Sequence, residues 1–302
     1  MTSPQKRLFF CSAQPLLDLN KISGNKTMPT SSVHFPSFGC TILGSGSSGN
    51  ASVIHGPDGN LLLDAGFSAV EIRRRLEKAG VDPASIRAIL VTHAHPDHVH
   101  LSGCAALAKR LDIPVYLMRE SIPELQQRSI NIPSNVVFFQ PGFGFELCGI
   151  QIAPFEVSHD VHAVGYTFSV HGHKIGFATD LGFVSNLVKT RLGGCELLVL
   201  ESNYDPVMLR NSKRSLTLKR RIASRIGHLS NANAMEALEE LLAPETKHLV
   251  LAHISRECNA SELVVELAEA RLAELHRQDV ALRLARRDAP IETIALEYAG
   301  EA

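Results

Sequence analysis

What this chain lacks narrows its options first. No stretch reaches the roughly 18–20 uninterrupted apolar residues that cross a bilayer, so no membrane segment is expected. Leu8-Phe9-Phe10-Cys11 is too short and poorly flanked for a secretory signal. Net charge is nearly absent: 30 Lys and Arg against 31 Asp and Glu leave a formal −1, so no global field selects a partner. The six cysteines, at 11, 40, 104, 148, 195 and 258, form no C-x-x-C pair. This spacing speaks for buried, reduced thiols of a cytoplasmic protein, against disulfides or a thiolate zinc site. No repeat and no internal linker interrupts the chain.

Residues 1–36 are rich in Ser, Pro, Lys and Asn without a sustained period, which predicts a disordered extension, with Met28 as an alternative start. Residues 37–302 read as one α/β domain with sheets between helices. Strands are expected at 39–44, 51–55, 60–64, 86–91, 114–117, 136–139, 145–147, 150–157, 164–170, 173–178, 197–200 and 247–252. A last strand is expected through 280–284 and 293–297. Helices are expected at 68–78, with Val70, Ile72 and Leu76 on its apolar face, and at 101–111, 216–226, 231–242 and 261–277.

Gly44-Ser45-Gly46-Ser47-Ser48-Gly49 matches G-x-G-x-x-G. A dinucleotide site needs a helix directly after the glycines, whose N-terminus holds the pyrophosphate. Here Ala51-Ser52-Val53-Ile54, a Gly56–Gly59 turn and Leu61–Asp64 follow instead, short runs with β-branched or leucine-rich character, so the glycines join strand to strand.

The chemistry concentrates at Thr92-His93-Ala94-His95-Pro96-Asp97-His98, just past an apolar strand. Two histidines one residue apart in extended chain can turn toward one cation. Asp97 and His98 can serve a second. Imidazole and carboxylate suit Zn²⁺, or Mn²⁺ where oxygen dominates. The cluster is short of ligands for two shells, and further candidates stand at later strand ends: His159, Asp180, whose two oxygens can bridge two cations, and His253.

These motifs resemble the metallo-β-lactamase fold superfamily over about residues 38–260. The resemblance implies an αββα four-layer sandwich and two divalent ions. One would be held by His93, His95 and His159, the other by Asp97, His98 and His253, with Asp180 bridging. A finer resemblance is to the YycJ/WalJ group. It is carried by Leu43–Asn50, Asp64-Ala65-Gly66, Val157–Asp160, Ala178-Thr179-Asp180, Leu200–Asn203, Gly227–Asn231 and Leu251–Ser255. That group implies 5′-exonuclease activity, through a hydroxide bridging the metals that Asp97 orients, and is similar to RNase Z. The chain departs from its pattern at Tyr204, where a histidine is usual, and at Ala94 between the first histidines.

His228 has two readings. One is a loop histidine ahead of a helix capped by Ser230 or Asn231. The other, implied by resemblance to RNase Z, is a proton donor to the leaving oxygen or a clamp on the phosphate. Around the first hairpin, Ser45, Ser47, Ser48 and Asn50 with nearby N–H groups make a candidate anion nest. Asn203 and Ser230, from the shared motifs, are further candidate substrate contacts. No acid occurs from Pro206 to Met235, while Arg220, Arg221 and Arg225 lie in that stretch. It reads as a basic face for a phosphodiester polymer, or as a solvated helix face. His162, His171 and His173 are expected at the surface.

The expected function is therefore a dinuclear-metal phosphodiesterase, a 5′-exonuclease on DNA or RNA. The alternative is a small-molecule hydrolase of a thioester, lactone or cyclic phosphodiester. A metal-binding module without turnover fits less well, because the ligand set is complete. The oligomeric state stays open, a homodimer included.

Overall fold

The computed structural model describes residues 38–296. The expected extension, the Met28 start, Cys11 and the end of the last strand at Glu297 lie outside them.

The first half runs β1 (Gly39–Gly44), β2 (Ala51–Gly56), β3 (Gly59–Leu63), α1 (Ala69–Lys78), β4 (Ile86–Leu90), α2 (Gly103–Leu111), β5 (Val115–Met118), α3 (Ser121–Gln127) and β6 (Val136–Phe139). The second runs β7 (Phe145–Leu147), β8 (Ile150–Val157), β9 (Ala163–Val170), β10 (His173–Ala178), α4 (Asn186–Leu192), β11 (Leu197–Glu201), α5 (Pro206–Asn211), α6 (Leu216–Ile222), α7 (Asn231–Leu241), β12 (His248–Ala252), α8 (Ser261–Glu274), β13 (Ala281–Leu284) and β14 (Ile294–Ala295). Two seven-stranded sheets result, ordered β14-β1-β2-β3-β4-β5-β6 and β13-β12-β11-β10-β9-β8-β7.

Alternation within the strands makes the layers. Leu61 and Leu63 enter the core between the sheets, while Leu62 faces Ile72, Leu76 and Leu107 of α1 and α2. Leu197 and Val199 enter the same central core, while Leu198 and Leu200 meet α4, α7 and α8 through Val188, Leu238 and Val264. A strand buried on both faces reads as a continuous apolar run, as 197–200 does. The expected four-layer αββα sandwich is what forms. Truncating fully buried Leu198 to Ala should cost about 2–5 kcal/mol.

Some expectations fail locally. Val70 is 66% exposed, because i and i+2 do not share a helix face with Ile72 and Leu76. The first helix is otherwise as expected, with the Ser68 hydroxyl accepting from Glu71 N. The helix expected from 101 begins at Gly103. The helix expected to reach 226 stops at Ile222, because His228 N–H bonds back to the Ile222 carbonyl at 2.9 Å. Gly227 permits this return, since a Cβ there would strike the Arg221 and Ile222 carbonyls. The helix expected to 277 ends at Glu274. Short helices α3, α4 and α5 fell in stretches read as loop.

Strands β3 to β6 run parallel, as do β10 to β13. The segments leaving β4, β10, β11 and β12 therefore gather at one edge of the sandwich, where open α/β sheets place their ligands.

Candidate metal centre

Four of the expected ligands follow β4. Val91 N–H binds the Tyr116 carbonyl at 2.9 Å, and Thr92 N–H binds Asp64 Oδ1 at 2.8 Å, so the segment leaves the sheet tied on both sides. Asn50 N–H holds the Asp97 carbonyl at 2.7 Å, and Gly66 lies so close to that carbonyl that a Cβ would overlap it. The hairpin turn and the segment after β3 thus cradle the histidine loop.

The side chains form adjoining triads. His93 Nε2 is 3.1 Å from His95 Nδ1, and His159 Nε2 is 3.4 Å from the same nitrogen. Beside them, Asp97 Oδ2 lies 3.9 Å from His98 Nε2 and 3.6 Å from His253 Nε2, while Asp180 Oδ2 is 3.2 Å from His98 Nε2. Tetrahedral zinc at about 2.1 Å holds its ligand atoms about 3.4 Å apart. The spacings match the edges of such shells. His253 Nε2 and Asp180 Oδ2 are buried without a hydrogen-bond partner, as atoms awaiting a cation would be. Groups with metal-holding geometry are His93, His95 and His159; His93, His98 and Asp180; and Asp97, His98 and His253. All seven expected ligands come together.

The electrostatics of the two halves differ. Burial lowers the pKa of His93 and His159, and lowers His95 to about 4, with neighbouring imidazoles adding to it. These three are neutral near pH 7, the form that offers a lone pair to metal. Burial also works against charge on His98 and His253, but the carboxylates win. Asp180 and Asp64 hold His98 well above its usual range, and Asp180, Asp97 and Glu201 raise His253 to about 10. This half calls for positive charge, which a divalent cation supplies. The donor set fits such an ion.

A ring of outer partners orients these ligands. Asp64 Oδ2 accepts from His98 Nδ1 at 2.7 Å and also takes the Thr92 hydroxyl. Glu201, fully buried, accepts through Oε1 from His253 Nδ1 at 2.8 Å and His228 Nδ1 at 2.9 Å. Its Oε2 accepts from the backbone N–H of Leu181 and Leu229. The group Asp180, Glu201, His228 and His253 is thus held largely by N–H···O bonds to Glu201. His159 Nδ1 meets the Gly227 carbonyl at 3.1 Å. Asp160 Oδ1 is 3.5 Å from His95 Nε2, and Oδ2 pairs with Arg221. Fixing the far nitrogen fixes tautomer and ring orientation. Sequence reasoning gave Asp64, Asp160 and Glu201 no role, although all three sit in motifs that carried the resemblance. Asp64, Asp180 and His253 have φ of 61°, 58° and 55°, left-handed values that cost a non-glycine residue about 1–3 kcal/mol and cluster at functional sites.

The candidate substrate contacts divide. Ser45, Asn50, Asn203 and Ser230 are buried and engaged. The Ser45 hydroxyl accepts from His253 N–H at 2.9 Å, and the Asn50 amide reaches the Gly46 and Asp97 carbonyls and His98 Nε2. Asn203 donates to the His253 carbonyl at 2.7 Å, and Ser230 caps α7. The N–H groups of Ser45, Gly46 and Gly49 are spent internally, on Arg286 O, Asn50 Oδ1 and Gly46 O. Ser47 and Ser48 are exposed. Arg220, Arg221 and Arg225 are exposed as well, Arg225 with its guanidinium over the Phe183 ring. His228 packs among His159, His253 and Glu201 and stays 21% exposed. His162 and His171 lie at the surface; His173 does so only partly, pairing with Glu196 at 2.7 Å. His100 Nδ1 accepts from Gly103 N–H at the start of α2.

A two-sheet sandwich with a cluster of seven His and Asp residues at its edge, spaced to hold metal, defines a class of metal-dependent hydrolases. The chain belongs to the β-lactamase superfamily, in its metallo-β-lactamase fold: the Beta-lactamase superfamily domain matches residues 59–254. It is 35% identical to exodeoxyribonuclease YycJ of Bacillus anthracis, over 74% of this chain and 84% of that one. It is 33% identical to exodeoxyribonuclease WalJ of Streptococcus pneumoniae, over 78% and 90%. Ribonuclease Z of Pyrococcus abyssi is 32% identical over 42% of this chain and 43% of its own. Among solved structures, the metallo-β-lactamase fold protein YhfI of Bacillus subtilis superposes with TM-score 0.63 at 16% identity, covering 83% of this chain and 98% of that one. Zn²⁺-bound PqqB of Methylobacterium extorquens gives 0.62 at 15%, covering 84% and 99%. Among the described residues no helix is long and apolar enough to cross a membrane.

Proposed function

We propose that this chain is an exonuclease that hydrolyses phosphodiester bonds at the 5′ end of DNA, using two divalent ions, Zn²⁺ or Mn²⁺. The adjoining triads, with orphaned Asp180 Oδ2 and His253 Nε2 turned to their common centre, carry the reading. The names of the YycJ and WalJ relatives supply the substrate class. His93, His95 and His159 would hold one ion, Asp97, His98 and His253 the other, and Asp180 both. Such ions, when bound, activate water and neutralise charge on the phosphoryl oxygens.

The protein's own groups handle position and protons. Asp97 places a carboxylate at the cleft, where it orients the attacking water. His228 gives a proton to the departing oxygen. Burial opposes charge on its ring, but the Glu201 carboxylate and its hydrogen bond outweigh that, so its pKa is raised and the proton is present near neutrality. Glu201 in turn fixes Nδ1 as a donor, leaving the other nitrogen for the substrate. A positioned acid of this kind contributes about 10²–10⁴-fold.

The test is degradation of 5′-phosphorylated single-stranded DNA by metal-loaded protein, run beside RNA and a panel of thioesters and lactones. Stepwise release of nucleotides from the 5′ end supports the reading. Turnover confined to the ester panel overturns it.

A further inference from the structure

Two clefts flank the metal centre, with opposite linings. One, of about 530 Å³, borders His159 and has Glu120, Glu124, Glu156 and Asp160 in its wall. Arg128 and Arg221 offset Glu124 and Asp160, which leaves Glu120 and Glu156 to set its sign. The other, of about 510 Å³, starts at Ser45 and Ile254, next to His253, and is lined by Arg256, Arg286 and Arg287. It shares Arg256 and Arg287 with a hollow of about 500 Å³ that reaches Ser47, Ser48 and Arg214.

Ion pairs sort these arginines. Arg214 is 3.2 Å from Glu257, and Arg286 is 3.6 Å from Asp288. Arg256 and Arg287 have no carboxylate within 4.0 Å of their guanidinium nitrogens among the described residues. Arg287 is nonetheless anchored. Its carbonyl accepts from buried Arg75 Nη1 at 2.9 Å, and its side chain runs along Gly46, in the turn before Ser47. Arg256 stands three residues beyond His253, so its placement follows from that of a metal ligand.

We propose that this arginine-lined channel carries the rest of the substrate strand away from the metal centre. Arg256 and Arg287 grip its phosphodiester groups, and the Ser47 and Ser48 hydroxyls add donors. The inference rests on the nuclease reading and extends it. A guanidinium freed of internal partners presents its fork to phosphate oxygens. The carboxylates of the opposite cleft repel a phosphate backbone, so the strand has one favourable exit. The paired Arg214 and Arg286 contribute less, because each must first give up its carboxylate.

The experiment measures binding of labelled single-stranded oligonucleotides of two to twelve nucleotides by fluorescence anisotropy in EDTA, across a salt series. The wild-type protein should bind longer strands more tightly. Arg256→Ala/Arg287→Ala should flatten that length dependence and reduce the salt slope by about 1.4, the value for two phosphate contacts on a single strand. Arg256→Lys/Arg287→Lys should recover most of the slope, which separates charge from misfolding. If the Ala pair keeps the wild-type length dependence and slope while the wild-type enzyme degrades DNA, the channel assignment is overturned and the nuclease reading stands. If the metal-loaded wild-type protein neither binds nor cleaves any oligonucleotide, both fall together.

Discussion

Glu201→Gln isolates one outer partner. The side chain keeps its size but turns one oxygen into an amide donor. Four donors already point at this carboxylate: two backbone N–H groups at Oε2 and two imidazole Nδ1 at Oε1. The backbone donors cannot change, so the amide carbonyl must face them. The NH₂ then faces His228 and His253, whose Nδ1 atoms must become acceptors. With metal on Nε2, the His253 atom turned toward Asp97, the ring must carry its remaining proton on Nδ1. That proton then meets the amide N–H donor to donor, which opposes metal on Asp97, His98 and His253. Loss of such a partner weakens metal affinity by about 10–100-fold, or roughly 1.4–2.7 kcal/mol. His93, His95 and His159 make no bond to Glu201, so the other ion should keep its affinity. Titration of the apoprotein against a chromophoric chelator resolves the two steps. One weakened step beside one unchanged step is expected. Unchanged affinity at both steps, or equal loss at both, would refute this account of Glu201.

Four further outcomes follow from the geometry. Asp180→Ala should lower the content of both metals in elemental analysis, since its carboxylate is shared; loss of only one would show it does not bridge. His228→Ala should retain metal and substrate binding yet lose roughly 10²-fold or more in turnover, and the loss should shrink with p-nitrophenolate as leaving group. Arg220, Arg221 and Arg225 lie on the side of the acidic cleft, with Arg221 paired to Asp160, so replacing them with neutral residues should reduce the salt slope of nucleic-acid binding less than Arg256→Ala/Arg287→Ala does; an equal or larger reduction would move the strand to α6. His55 is buried between Thr41 and Asn60, and burial lowers its pKa to about 4. The unfolded chain takes up this proton below about 6.5 and the folded chain only near 4. The neutral ring therefore costs nothing at pH 7, and stability falls as pH drops through that window, by up to about 3 kcal/mol. Urea unfolding of apoprotein at pH 7 and pH 5 should show the fall, and His55→Phe should reduce it.

The residues that converge at the candidate centre were legible in the sequence because each stands at the end of an apolar run. The chain advertises both the buried strand and the polar residue that leaves it, as in Leu249–His253. The layers were legible for the same reason. What stayed hidden was partnership across the fold. Glu201 ends β11 and reads as the first polar residue after a strand; only the packing against it of the segments leaving β10 and β12 and of the 227–230 turn reveals four donors. Asp160 follows His159 in sequence, and only the fold brings its Oδ1 within 3.5 Å of His95 Nε2 as well as 3.2 Å of His159 Nε2. Ser45 and Asn50 looked like loop groups free for an anion. Their bonds run to residues 253 and 98, far along the chain, where no local pattern could show them. Helices α3, α4 and α5 span only six or seven residues, too few for a periodicity to emerge.

The proposed ligand set also has a mechanical meaning. His93, His95, Asp97 and His98 hang from the first sheet, and His159, Asp180 and His253 from the second, so each ion would tie one half of the chain to the other. Metal would act as a rivet across the seam between the sheets. The unfolded chain has no such cluster, so loading at a thousand times Kd would raise stability by about 4 kcal/mol. A substitution far from the cleft that lets the halves slide apart would then announce itself first as lost metal, before any strand melts.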